Sequence, residues 1–109
     1  LPPLAEPVEI TSAADFDAMI THAAVPVVVD FWAAWCAPCR MVAPEVARLA
    51  ASHSGKAIVA KVDTEALPEI AGRYRISGIP AFLLFRSGRE AGRATGAMPA
   101  DKLARELGL

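Results

Sequence analysis

The sequence predicts an α/β domain in which a central mixed sheet of five strands is flanked by four helices. Three observations carry this expectation. Nearly continuous apolar runs recur at Val27–Trp32, Ala57–Val62 and Ala81–Phe85, and the first, rich in β-branched residues, has the pattern of a strand covered on both faces. Stretches with apolar residues at helical spacing separate or flank these runs. The resulting order, β-α-β-α-β-α-β-β-α, supplies the crossover helices that parallel neighbours require and places helices on both faces of the sheet.

Each element has its own justification. Leu1 to Pro7 contains three prolines and reads as an arm or linker, which leaves 8–109 as the folded domain. Val8 to Ile10 is a short strand. Ser12 followed by Asp15 marks a helix start, because a hydroxyl cap and a nearby acid both satisfy open N–H groups. Phe16, Met19, Ile20 and Ala23 then share one helical face. The strand Val27–Trp32 is interrupted only by Asp30. A second helix starts near Cys36, with Val42, Val46, Leu49 and Ala50 forming its buried stripe. Pro44 lies within it and has no N–H for the Arg40 carbonyl, so a kink is expected there. The strand Ala57–Val62 carries Lys61, and Leu67, Ile70, Ala71 and Tyr74 mark a short helix. Ala81–Phe85 turns at Ser87-Gly88 into an antiparallel partner, Glu90–Thr95. Leu103, Ala104 and Leu107 indicate a closing helix.

Composition narrows the function classes. The 109 residues are 54% hydrophobic and 21% charged, as expected of one globular domain. A formal net charge of -1 offers no electrostatic reason for a nucleic-acid or anionic-membrane partner. No apolar run approaches the ~20 residues needed to span a bilayer. Two cysteines exclude a framework of structural disulfides. No secretory signal is visible, although the sequence begins at Leu1 and not at Met. The expected location is cytoplasmic, with a periplasmic, secreted or organellar one as the alternative if an N-terminal segment was removed.

The chemistry is concentrated in Trp35-Cys36-Ala37-Pro38-Cys39-Arg40, between a buried strand and an amphipathic helix. Cysteines at i and i+3 share a face of the first helical turn and can close or open a small ring without moving the fold. Open N–H groups and the positive end of the helix dipole favour a thiolate at Cys36, the expected nucleophile. Cys39, a turn further in where access is restricted, is the expected resolving thiol, displacing reduced substrate from a mixed disulfide. The blander readings fit less well. So short a loop makes a poor structural staple. Zinc needs four ligands, and only His22 and His53 remain besides the cysteines. No metal site within one chain is expected, although two chains could share one. Haem attachment needs His where Arg40 stands. Two inert thiols sit poorly beside a Trp at a strand–helix junction.

The stretch from Val28 to Met41 resembles the active-site region of the thioredoxin family. Ala43-Pro44 is similar to that family's helix kink, Ala60-Lys61-Val62-Asp63 to its third strand, Gly78-Ile79-Pro80 to its cis-proline loop and Gly96-Ala97 to its late glycine loop. The resemblance covers about residues 8–109 and implies the thioredoxin fold and a protein-disulfide reductase. It implies a buried Asp30 as proton acceptor for Cys39 and Lys61 as a nearby charge that tunes it. It implies a cis Pro80 opposite the cysteines, with Trp35, Ala37, Pro38, Ile79, Pro80, Gly96 and Ala97 forming a substrate-docking surface. Trp32 is expected to be structural, and His22 and His53 are surface residues without a role. No bound cofactor is implied; electrons are expected from NADPH through a flavin-dependent thioredoxin reductase. The implied partners are disulfide-containing proteins and that reductase, and the chain is expected to be a monomer.

Departures from the family pattern bear on potential and partner choice. Ala37-Pro38 replaces Gly-Pro, Ala81 follows Pro80 where Thr is common, Arg40 replaces Lys, and Ala34 stands where an acid is frequent. Strongly oxidising relatives often place a His beside the second cysteine; its absence favours a reductant. A thiol oxidant or isomerase outside the cytosol, and a binding module without turnover, remain the competing readings.

Overall fold

The computed structural model describes residues 4–109, so the first three residues of the expected arm lie outside the described residues. The elements are β1 (Val8–Ile10), α1 (Ala13–His22), β2 (Val27–Trp32), α2 (Ala37–Ser52), β3 (Ile58–Asp63), α3 (Pro68–Arg73), β4 (Ala81–Arg86), β5 (Arg89–Thr95) and α4 (Ala100–Leu107). All nine fall where the apolar patterning placed them, with ends shifted by a few residues at most. Ala57 is buried but precedes β3, because strand pairing begins only at Ile58 opposite Val27.

The five strands form one mixed sheet in the order β1-β3-β2-β4-β5. β3 runs parallel to both β1 and β2, while β4 is antiparallel to β2 and β5. Alternation along the strands divides the interior into two layers. Val27, Val29 and Phe31 of β2 face Phe16 and Ile20 of α1 and Ile70 of α3. Val28 faces Val42, Val46 and Leu49 of α2 and Leu103 and Leu107 of α4. Asp30 belongs by parity to this second face and is 2% exposed.

Local chemistry sets the helix starts. Ser12 caps α1, its Oγ accepting the N–H of Asp15 at 3.0 Å. α2 continues through Pro44, which leaves the Arg40 carbonyl without its usual donor. Pro99, before α4, offers no side-chain cap; Glu45 of α2 supplies one by accepting the N–H of Ala100 at 2.9 Å. The Ser87-Gly88 turn places both residues at positive φ, 52° and 79°, joining β4 to β5.

Register gathers the functional segments at one end of the sheet. Phe31 pairs with Ala81, and Ala81 pairs with Thr95. The residues just beyond those pairs, Trp32 onward, Pro80 and Gly96, therefore converge beside the N-terminus of α2.

Candidate active site

Cys36 is the N-cap residue of α2, held in extended backbone with its N–H donated to the Ala33 carbonyl at 3.1 Å. Its Sγ accepts the backbone N–H of Cys39 at 3.3 Å. Ala37 and Pro38 fill the first helical positions, where a proline costs nothing because its N–H would be open anyway. Cys36 and Cys39 are disulfide-bonded, with Cα atoms 5.3 Å apart. Arg40 donates to the Ala34 carbonyl and so closes the loop in front of the helix.

One expectation needs correction. Exposure does not distinguish the two cysteines as proposed: Cys36 is 3% exposed and Cys39 is 7% exposed. Ala33, Trp32 and Ile79 pack around the pair and cover both residues. What separates them is position on the helix: Cys36 is the cap that receives an N–H, and Cys39 is the residue that gives it.

The Ile79–Pro80 peptide is cis, and the Ile79 carbonyl oxygen lies 3.7 Å from Cys36 Sγ. β4 begins its pairing only at Ala81, so Ile79 sits outside the ladder, next to the sulfur. Gly96 donates its N–H to the Pro80 carbonyl at 2.8 Å, binding the glycine loop to the proline loop. Its φ of 98° is in the left-handed region that a side chain would strain. Trp35, 67% exposed, and the exposed Ala37, Pro38 and Ala97 border this group.

On the α2 face of β2, burial pushes the Asp30 carboxyl up from 3.8 to about 7; Lys61 opposes that rise and Glu9 adds to it. Its Oδ1 has no hydrogen-bond partner. Lys61 is registered beside it on β3, yet the ammonium rests 4.8 Å from the centroid of the Trp32 ring. Trp32 packs on the cysteine cluster, and its Nε1–H donates to Glu9 Oε2 at 3.2 Å. His22 closes α1 and His53 caps the C-terminus of α2, both outside this group.

Two acids went unread in the sequence. Glu65 accepts the Trp35 Nε1–H at 2.8 Å and fixes the exposed indole beside the cysteines. Asp63 holds Glu65 in place by accepting its N–H at 2.9 Å. Glu9 is the second, through its bond to Trp32. Acids on a loop and an edge strand look like solvated surface from sequence alone. Among the described residues no group of three or more His, Cys, Asp or Glu is arranged to hold a metal ion, and no helix is long and apolar enough to cross a membrane.

The arrangement can carry a two-electron couple: a cysteine pair closed as a disulfide at a helix start, with an unpaired backbone segment beside one sulfur and a buried carboxyl on the neighbouring strand. Comparison with known proteins agrees. A family model described as Thioredoxin matches residues 7–108. Thioredoxin 1 of Chlorobaculum tepidum is 42% identical over 95 residues, which cover 87% of this chain and 94% of that protein. Thioredoxin 1 of a Nostoc species is 46% identical over 83 residues, covering 76% and 78%. A Plasmodium falciparum thioredoxin structure superposes with a TM-score of 0.85 at 29% identity, covering 93% of this chain and 96% of the other.

Proposed function

The chain belongs to the thioredoxin family and is a thiol–disulfide oxidoreductase, and from that premise we propose how its residues divide the reaction. The observation that carries the reading is Cys36 as the N-cap of α2, its sulfur already accepting a helix N–H. The same N–H that this sulfur accepts in the disulfide stabilises its thiolate in the dithiol.

In the forward direction the Cys36 thiolate attacks a substrate disulfide. A Cys36–substrate bond forms, and the first substrate sulfur leaves as a thiolate. Asp30 takes the Cys39 proton, and the Cys39 thiolate attacks Cys36 Sγ. The Cys36–Cys39 disulfide forms and the second substrate sulfur leaves. Two electrons have passed to substrate, and the two released thiolates take up protons. Substrate backbone pairs with Ile79 beside cis-Pro80, as a short strand addition. Trp35, Ala37, Pro38, Gly96 and Ala97 supply the apolar surface around the scissile bond, and Lys61 tunes Asp30.

The dithiol itself carries the electron pair. We assign its renewal to NADPH through a flavin-dependent thioredoxin reductase, and its working direction to reduction, since Ala37-Pro38 adds no cation between the cysteines. The cytoplasm is the compartment that suits a chain with only one cysteine pair, and that pair redox-active. A monomer suffices, because the site is built within one chain; the folded unit is taken as 8–109.

Reduction of a protein disulfide with dithiothreitol as donor tests the assignment. Cys36→Ser is expected to abolish turnover. Cys39→Ser is expected to accumulate the mixed disulfide, visible as a protein–substrate adduct by mass. Turnover by Cys36→Ser near the wild-type rate refutes Cys36 as nucleophile.

A further inference from the structure

Glu9, Lys61 and Asp30 occupy adjacent registered positions on three neighbouring parallel strands: Glu9 opposite Lys61, and Lys61 opposite Asp30. Parity puts all three on the α2 side of the sheet. Ile10, Ala60, Val62, Val29 and Phe31 face the other layer, so their immediate neighbours face this one. The row therefore reads carboxyl, ammonium, carboxyl, with one cation for two acids.

The cation rests on an aromatic ring and pairs directly with neither carboxyl. Among the described residues Lys61 forms no ion pair within 4.0 Å, and its ammonium lies over Trp32, whose indole N–H is held by Glu9. The Glu9 end of the row is wet: a surface cavity of about 350 Å³ is lined by Glu9, Ile10, Thr11, Trp32, Asp63 and Ala66. The Asp30 end is dry and one of its oxygens is unpartnered. Asp30 is flanked by Lys61 from β3, by Glu9 beyond it on β1 and by Phe82 from β4, and α2 and α4 cover its face of the sheet. Asp63, two residues along β3, acts on Glu9.

We propose that Glu9 is a positioning residue for the resolution step, anchoring Trp32 through its indole N–H and sharing the Lys61 ammonium with Asp30 across three registered strands, so that the cation does not act on Asp30 alone. This rests on Asp30 being the proton acceptor. Without the Glu9 charge, Lys61 favours the ionised form of Asp30 more strongly.

The test is a carbon-13 NMR titration of the aspartate carboxyls in the oxidised full chain, with Asp30→Asn assigning the signal. Glu9→Gln keeps an acceptor for the Trp32 indole and removes only the charge. It is expected to lower the Asp30 midpoint by about half a unit, the scale of a like charge removed two strand spacings away together with the cation it releases. Glu9→Asp restores part of the shift. In a Lys61→Met background the Glu9→Gln effect is expected to shrink, since the intermediary is gone. A Glu9→Gln midpoint equal to or above wild type overturns the proposal, and so does an undiminished shift in the Lys61→Met background. Failure of the underlying reading is separable: if Asp30→Asn resolves mixed disulfides at the wild-type rate, the acceptor role falls while the titration result stands.

Discussion

Asp30 is kept in a place that disfavours its charge, and the consequence can be measured as stability. The unfolded carboxyl titrates near 3.8 and the folded one at about 7, so between those values the native state holds a proton that the unfolded state has released. Stability therefore falls as pH rises through that window, by about 4 kcal/mol, and is unaffected by this group below it. Asn at position 30 has no charge to bury. Asp30→Asn is expected to raise the unfolding free energy of the oxidised protein by about 4 kcal/mol at pH 8, with the gain vanishing below pH 4. Urea denaturation at pH 4, 6 and 8 checks this; a gain that does not change with pH removes desolvation as its source. The same substitution is expected to slow resolution. The wild-type rate should level off above about pH 7, where Asp30 is ionised, whereas the variant should keep rising with pH as solvent alone deprotonates Cys39.

At the scale of elements, the site depends on α2 being held in place along its length and not only at its start. Pro44 removes one rung of the helix, and the residue after it, Glu45, reaches across to α4. α4 needs this contact, because Pro99 at its N-cap position has no side chain to offer and the Ala100 N–H would otherwise be open. Glu45→Ala is expected to cost about 1 kcal/mol, the usual loss for a helix N-cap acceptor, and Glu45→Gln less, since an acceptor remains. Chemical denaturation with unchanged m-values checks it. A loss no larger than that of an exposed-site alanine, a few tenths of a kcal/mol, shows that water caps α4 equally well. The exposed ion pair of Glu45 with Arg48 is a minor part of this, as surface pairs contribute little.

Over the whole molecule, periodicity in the sequence conveyed the nine elements and their two-sided packing, because each strand and helix writes its own burial pattern locally. It did not convey the strand order β1-β3-β2-β4-β5, which is set by which faces fit together. The site divides in the same way. Cys36, Cys39, Asp30 and Pro80 stood out because each breaks or punctuates an apolar run. Glu9 and Glu65 did not, since their partners Trp32 and Trp35 lie 23 and 30 residues away in the chain. Gly92 illustrates the same limit and yields a test of how the chain closes. It lies in the middle of β5 with no turn to explain it, where glycine ordinarily weakens a strand. A Cβ there would collide with the Leu107 carbonyl oxygen of α4. The last helix therefore rests directly on the sheet edge, with Leu107 buried and Gly108 donating back to Ala104 and Arg105 to end it. Gly92→Ala is expected to destabilise the protein by about 2 kcal/mol, with a fall in Tm on the order of 10 °C. The obstacle is main chain, so truncating the Leu107 side chain cannot relieve it. Gly92→Ala combined with Leu107→Ala should lose stability from both the forced displacement and the cavity. A double variant as stable as Gly92→Ala alone would mean that α4 had already left the sheet in the single variant, and that its packing contributes nothing once the edge contact is broken.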